Sequence, residues 1–169
     1  MKRNILVLAV IAIFAVALTS CGNQNKKTNT GKLCIEKGWV LSAATSSPAY
    51  ALSDGSYATN LMTEGYLYDY ELDDIIKFET NGNMKINGGA KVPETGDYQA
   101  EDKGVGTWAF NSDESKLTMQ IPFFYDEATE TVDILSLTET ELRIKYTFND
   151  YTAPAKTVYS FTLTYVPAK

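Results

Sequence analysis

The chain contains no histidine, and beyond its first twenty residues it contains a single arginine, Arg143. Without histidine it cannot assemble a Ser-His-Asp triad, a Cys-His pair or a histidine-ligated metal site. Cysteine is nearly as scarce, with only Cys21 and Cys34 present. Positive charge is also short: setting aside Lys2 and Arg3 leaves 13 basic against 21 acidic side chains. An acidic surface repels phosphate backbones, and no basic cluster interleaves with aromatic residues, so nucleic acid is not an expected partner. No apolar run approaches the roughly 20 residues that a membrane-spanning helix needs.

The longest apolar run is Ile5 to Leu18, preceded by the basic Lys2 and Arg3 and followed by the small Thr19 and Ser20 ahead of Cys21. Its length suits the core of a secretion signal. The arrangement resembles the bacterial lipoprotein signal, which implies diacylglyceryl transfer to the Cys21 thiol, cleavage before Cys21 and acylation of the new amine with a chain such as palmitate. Two or three acyl chains, at about 0.8 kcal/mol per buried methylene, anchor a protein essentially permanently. Gly22 stands where an aspartate would resemble an inner-membrane retention signal, which points to the outer membrane; the face of that membrane stays open. An acidic domain is not drawn to anionic headgroups, so the expected membrane partner is reached through the lipid. Once Cys21 is acylated, Cys34 is the only thiol, expected to be a small buried hydrophobe.

The organisation expected is a signal peptide over 1–20, a lipidated cysteine and flexible tether over 21–32, and one folded domain over 33–169. From Leu72 onward apolar residues alternate with polar ones. Leu142, Ile144, Tyr146 and Phe148 oppose Arg143, Lys145 and Thr147, and Tyr159, Phe161, Leu163 and Tyr165 alternate with Ser160, Thr162 and Thr164. Asn81-Gly82 supplies a hairpin turn. The pattern predicts strands near 34–44, 72–79, 83–88, 104–111, 116–124, 131–138, 140–148 and 156–166. Short connections demand antiparallel neighbours, and about eight such strands close naturally into an up-and-down barrel, with a two-sheet sandwich as the alternative. Residues 45–70 differ in kind, carrying Asp54-Gly55, Glu64-Gly65 and tyrosines at 50, 57, 66, 68 and 70. This reads as a long functional connection, with room for a short helix over 58–64.

Gly38-Trp39, the run from Asp73 to Phe78 before Asn81-Gly82, Gly106-Thr107-Trp108 and the run from Ile134 to Leu142 together resemble small lipocalin-like lipoproteins of anaerobic gut bacteria. The resemblance spans about residues 33–166 and implies an all-β, calycin-type barrel. Lipocalins pack a first-strand tryptophan against a late arginine, which by analogy would pair Trp39 with Arg143.

Among candidate sites, Asp69, Glu71 and Asp73 would share one face of a strand, an extended arrangement unlike a calcium loop. No catalytic motif selects a pair from the acids, so enzymatic activity, a metal and a cofactor are not expected. The expected role is binding of a small apolar or amphiphilic ligand in the envelope, by Trp39, Tyr66, Tyr68, Phe78, Trp108, Phe110, Tyr146 and Phe161. Trp108, Phe110, Met119, Ile121, Ile144, Tyr146, Phe161 and Leu163 are expected to point inward, either lining a cavity or filling it. Two other roles stay open: a surface module for glycan or protein using the tyrosine-rich loop 45–70, and a structural envelope component with a filled core.

Overall fold

The computed structural model describes residues 28–91, 102–120, 129–150 and 157–169. A short helix α1 (Asn29–Leu33) precedes ten strands: β1 (Trp39–Ala51), β2 (Tyr57–Asn60), β3 (Ile75–Phe78), β4 (Asn83–Asn87), β5 (Lys103–Thr107), β6 (Ala109–Phe110), β7 (Lys116–Gln120), β8 (Thr129–Leu137), β9 (Leu142–Asp150) and β10 (Thr157–Pro167). One antiparallel sheet runs in the order β5-β4-β3-β1-β10-β9-β8-β7-β6, with β2 pairing on β1. The two ends of that path, β5 and β6, are separated in the chain by Trp108 alone. The sheet therefore curls into a nearly closed barrel of nine strands. The expected all-β antiparallel barrel is present, with a slightly different strand count. The difference arises because the strand expected at 104–111 changes partners at Trp108, pairing with β4 before it and β7 after it, and because β2 is an addition.

Alternation places the core. Leu142, Ile144 and Tyr146 of β9 and Tyr159, Phe161, Leu163 and Tyr165 of β10 are buried, whereas Arg143 and Thr147 face outward. Where alternation breaks, a bulge explains it. In β1 the register shifts between Leu41 and Ala43, so Ser42 and Ala43 are both exposed and the buried series passes from Trp39 and Leu41 to Ala44 and Ser46. In β8 a shift between Ile134 and Ser136 leaves Leu135 exposed. An extra residue in one strand adds local twist, which helps a sheet curl.

The two ends of the barrel differ. One collects α1, the C-terminus and the tight turns 79–82, 111–115 and 138–141, tied together by Ala168 N donating to Gly38 O (2.9 Å) and Asn29 Nδ2 to Glu114 Oε2 (2.6 Å). Helix α1 starts inside the segment expected as tether, because Thr28 Oγ1 caps it by accepting from Gly31 N. Leu33 is fully buried, and its carbonyl accepts the Trp39 indole N–H at 2.8 Å. The expected pairing of Trp39 with Arg143 is not formed. Arg143, Thr164 and Ala43 share the outer face across paired strands, and Trp39 faces inward. The opposite end carries residues 52–74. Residues 92–101, 121–128 and 151–156 lie outside the described residues, and with them the expected inward position of Ile121.

Gly38 explains the Gly-Trp pair at the start of β1. Its φ is +75°, and a Cβ there would lie 2.6 Å from Ile75 Cγ2 and 2.8 Å from the Ile76 carbonyl oxygen. Positive φ costs an L-residue about 1–2 kcal/mol, before any clash with backbone. Gly38→Ala is therefore expected to lower unfolding free energy by at least about 2 kcal/mol. A urea titration followed by tryptophan fluorescence measures this, and an unchanged midpoint contradicts the close-approach account.

Candidate functional site

The eight aromatic residues singled out from the sequence do not meet in one place. Trp39 lies at the α1 end, fully buried. Phe78, Trp108 and Phe110 form an edge-to-face series with ring centroids 5.9 and 5.4 Å apart, and the Trp108 indole donates to Glu79 O at 2.9 Å. Tyr146 stacks on Phe161 at 6.2 Å, and Phe161 on Tyr159 at 6.2 Å. Trp39, Phe78, Trp108, Tyr146 and Phe161 all belong to one buried cluster, with Phe110 packed against it. Tyr66, half-buried like Phe110, also packs against this cluster, and Tyr68 is exposed; both lie at the end opposite α1.

There the sequence 45–70 folds as a hairpin and a pinned loop. The helix expected over 58–64 is absent. Tyr57–Asn60 pairs with β1 as β2, and Asp69–Glu71 forms a single 3-10 turn. The hairpin turn is closed by Asp54 Oδ1, which accepts from Ser56 N (2.9 Å) and Oγ (2.6 Å) around Gly55 at φ +86°. These two hydrogen bonds hold the Asp54 carboxyl below the usual carboxylate range. Glu64 Oε2 accepts from Thr59 N and Asn60 N, and Glu71 Oε2 from Tyr68 N at 2.7 Å. Burial outweighs that last bond and raises the Glu71 pKa. Ala58 and Leu61 are buried in the main core, so the loop closes over the barrel end. Because Asp69 and Glu71 sit on a 3-10 turn, the expected extended row of carboxylates does not form. Asp73 instead accepts from Ala90 N and Lys91 N through Oδ2.

Tyr50 joins this loop to the core. Its ring meets Tyr66 edge-on at 5.2 Å, Tyr159 at 5.0 Å and Phe161 at 5.5 Å. Beyond it opens a groove of about 390 Å³, walled by Tyr50, Ala51, Leu52 and Ser53 on one side and Gly65, Tyr66 and Tyr68 on the other. That volume is in the range of small-ligand clefts, about 300–1,000 Å³. Tyr68 is 55% exposed and stacks on Tyr70 at 5.3 Å with planes 5° apart. Burial, then Asp150 and Tyr159, raises the Tyr50 pKa, so its hydroxyl keeps its proton at neutral pH. The density of tyrosines marked this segment in the sequence. Tyr50 is one of the five tyrosines of that segment, but nothing in its spacing separates a rim tyrosine from a core one.

Elsewhere, among the described residues, no group of three or more histidine, cysteine, aspartate or glutamate side chains is placed to hold a metal. Cys34 is half-buried beside α1, and burial pushes its thiol pKa up, which disfavours the reactive thiolate. No protein-family model matches the chain, and no curated protein is similar to it.

One polar group in the interior stands out. The Tyr165 hydroxyl is fully buried and has no hydrogen-bond partner among the described residues, and burial raises its pKa well above the ordinary value. Above about pH 10 the unfolded chain loses this proton while the folded one keeps it, so stability falls as pH rises past that point. Tyr165→Phe removes both penalties and should stabilise the domain at pH 7 by about 1 kcal/mol. Its stability should also decline less between pH 9 and 11, read from thermal melts across that range. A variant less stable than the parent at both ends contradicts an unpartnered hydroxyl.

Proposed function

We propose that the protein is a lipid-anchored envelope lipoprotein whose lipocalin-like barrel is a scaffold, and that its tyrosine-rich rim is a non-enzymatic binding surface. In this reading Cys21 carries the lipid, and the outer membrane is the site of attachment. The observation that carries the proposal is the division of the aromatic residues. Those a carrier would need around a cavity pack on one another, whereas Tyr50, Tyr66 and Tyr68 wall an open groove.

Geometry supports the same role. Thr28 is seven residues from Cys21, which limits the span to about 25 Å even when fully extended. The α1 end of the barrel therefore stays close to the bilayer. Strand β1 is 13 residues long, about 40 Å of strand, and a barrel tilt near 40° leaves a height of roughly 30 Å. The groove at its far end faces away from the membrane, where a glycan or protein outside the bilayer can reach it. Loops carried on a rigid sheet are where binding residues concentrate.

Two measurements test this reading. Cys21→Ala in the full chain should abolish incorporation of radiolabelled palmitate and release the protein from membranes; retained label rejects the anchor. The soluble domain, residues 22–169, should take up no apolar fluorescent probe such as a naphthalene sulfonate with saturable, stoichiometric affinity. Stoichiometric uptake blocked by the interior substitution Ile144→Phe would instead support a carrier with a cavity in the barrel.

A further inference from the structure

Resting on the binding role proposed for the rim, we infer that the groove takes an uncharged sugar residue of a glycan, stacked on Tyr68 and edged by Tyr50 and Tyr66, and that it rejects anionic sugars. Three observations carry this. Among the described residues no charged side chain lines the groove, whose walls are tyrosine rings, Leu52, small side chains and backbone. A ligand with a formal charge would meet no counter-charge there, and burying it would be costly.

The fringe is acidic. Asp54 adjoins Ser53, Glu64 adjoins Gly65, Asp69 adjoins Tyr68, and Asp150 lies close enough to Tyr50 to raise its pKa. These charges repel carboxylated or sulfated ligands as they approach. Asp54, Glu64 and the nearby Glu71 are poor receptors for a cation, because the loop already uses them. Asp54 Oδ1 holds Ser56, Glu64 Oε2 holds Thr59 and Asn60, and Glu71 Oε2 holds Tyr68.

The walls also match a neutral pyranose. One face of such a ring is a patch of weakly positive C–H groups, which suits the negative face of an aromatic ring, and its hydroxyls suit phenolic tips. Tyr68 is held for this: its backbone is bonded to Glu71, its ring is backed by the parallel ring of Tyr70, and more than half of its surface is open.

The test is calorimetric titration of residues 22–169 with cellohexaose, xylohexaose, maltohexaose and mannohexaose, and with hexagalacturonate as the anionic probe. At least one neutral oligosaccharide should bind saturably. Tyr68→Ala, at an exposed position, should weaken it at least tenfold, Tyr68→Phe should largely preserve it, and hexagalacturonate should not bind. Ser53→Lys, which adds a cation to the exposed wall, should admit hexagalacturonate. Tyr68-dependent binding of hexagalacturonate by the parent, or of a peptide with none of the neutral sugars, overturns the sugar inference but leaves a binding rim. Absence of any binding across the panel, with apolar probe taken up inside the barrel, overturns both.

Discussion

The ladder between β1 and β10 holds the architecture together. Apart from β1 with β3 (Trp39 opposite Ile76), the other pairs on the path join strands adjacent in chain order, but this ladder joins residues at opposite ends of the domain, from Trp39 opposite Pro167 to Ser47 opposite Ser160. Without it the remaining strands would form an open sheet with two bare edges and an apolar face in water, a state prone to association. With it, the inward faces of β1, β9 and β10 enclose Leu41, Ile144, Phe161 and Leu163 in one core. The ladder brings together segments more than 100 residues apart, so its loop-closure entropy has to be overcome before its contacts stabilise anything. The bulge at Ser42 and Ala43 lets one strand serve this ladder while keeping its apolar residues inward.

From that closure follows the contrast between the two ends. At one end, α1, the buried Leu33 and the Trp39 indole hydrogen bond plug the barrel, and tight turns such as 79–82 finish its strands. At the far end β1 continues past its last partner on β10 and carries β2 with it. The same strand therefore roots the fold at one end and builds the groove at the other. The aromatic contacts from Tyr146 through Phe161 to Tyr50 and Tyr66 make the rim a continuation of the core. Such a rim presents rigid side chains, which lose little conformational entropy when a ligand binds.

The sequence revealed the barrel where periodicity was clean. Strands β7, β9 and β10 alternate without interruption, and the Asn81-Gly82 turn joins β3 and β4, with Gly82 at φ +87°. It concealed the parts governed by tertiary pairing. The adjacent exposed pair Ser42 and Ala43 erases the phase of β1, and the strand expected near 34–44 runs instead from Trp39 to Ala51. Trp108 exchanges partners between β4 and β7, which no local pattern can signal. Helix α1 is only five residues long, and its capping threonine sits in a polar run that reads as coil. At the candidate site, tyrosine density marked the segment that walls the groove. Separating Tyr66 and Tyr68 from Trp39, Phe78 and Trp108 required burial, because an inward aromatic and a rim aromatic have the same chemistry in a sequence.

The central claim is that ligands meet this protein at the rim and not inside the barrel. Fluorine NMR of the domain labelled with 3-fluorotyrosine reads both places at once, since Tyr66 and Tyr68 report on the groove and Tyr146 and Tyr165 on the interior. Titration with the neutral hexasaccharides should move the Tyr66 and Tyr68 resonances, and an added long-chain alcohol should leave Tyr146 and Tyr165 unmoved. Interior resonances that shift with the alcohol, while the rim stays still for every sugar, would contradict the account.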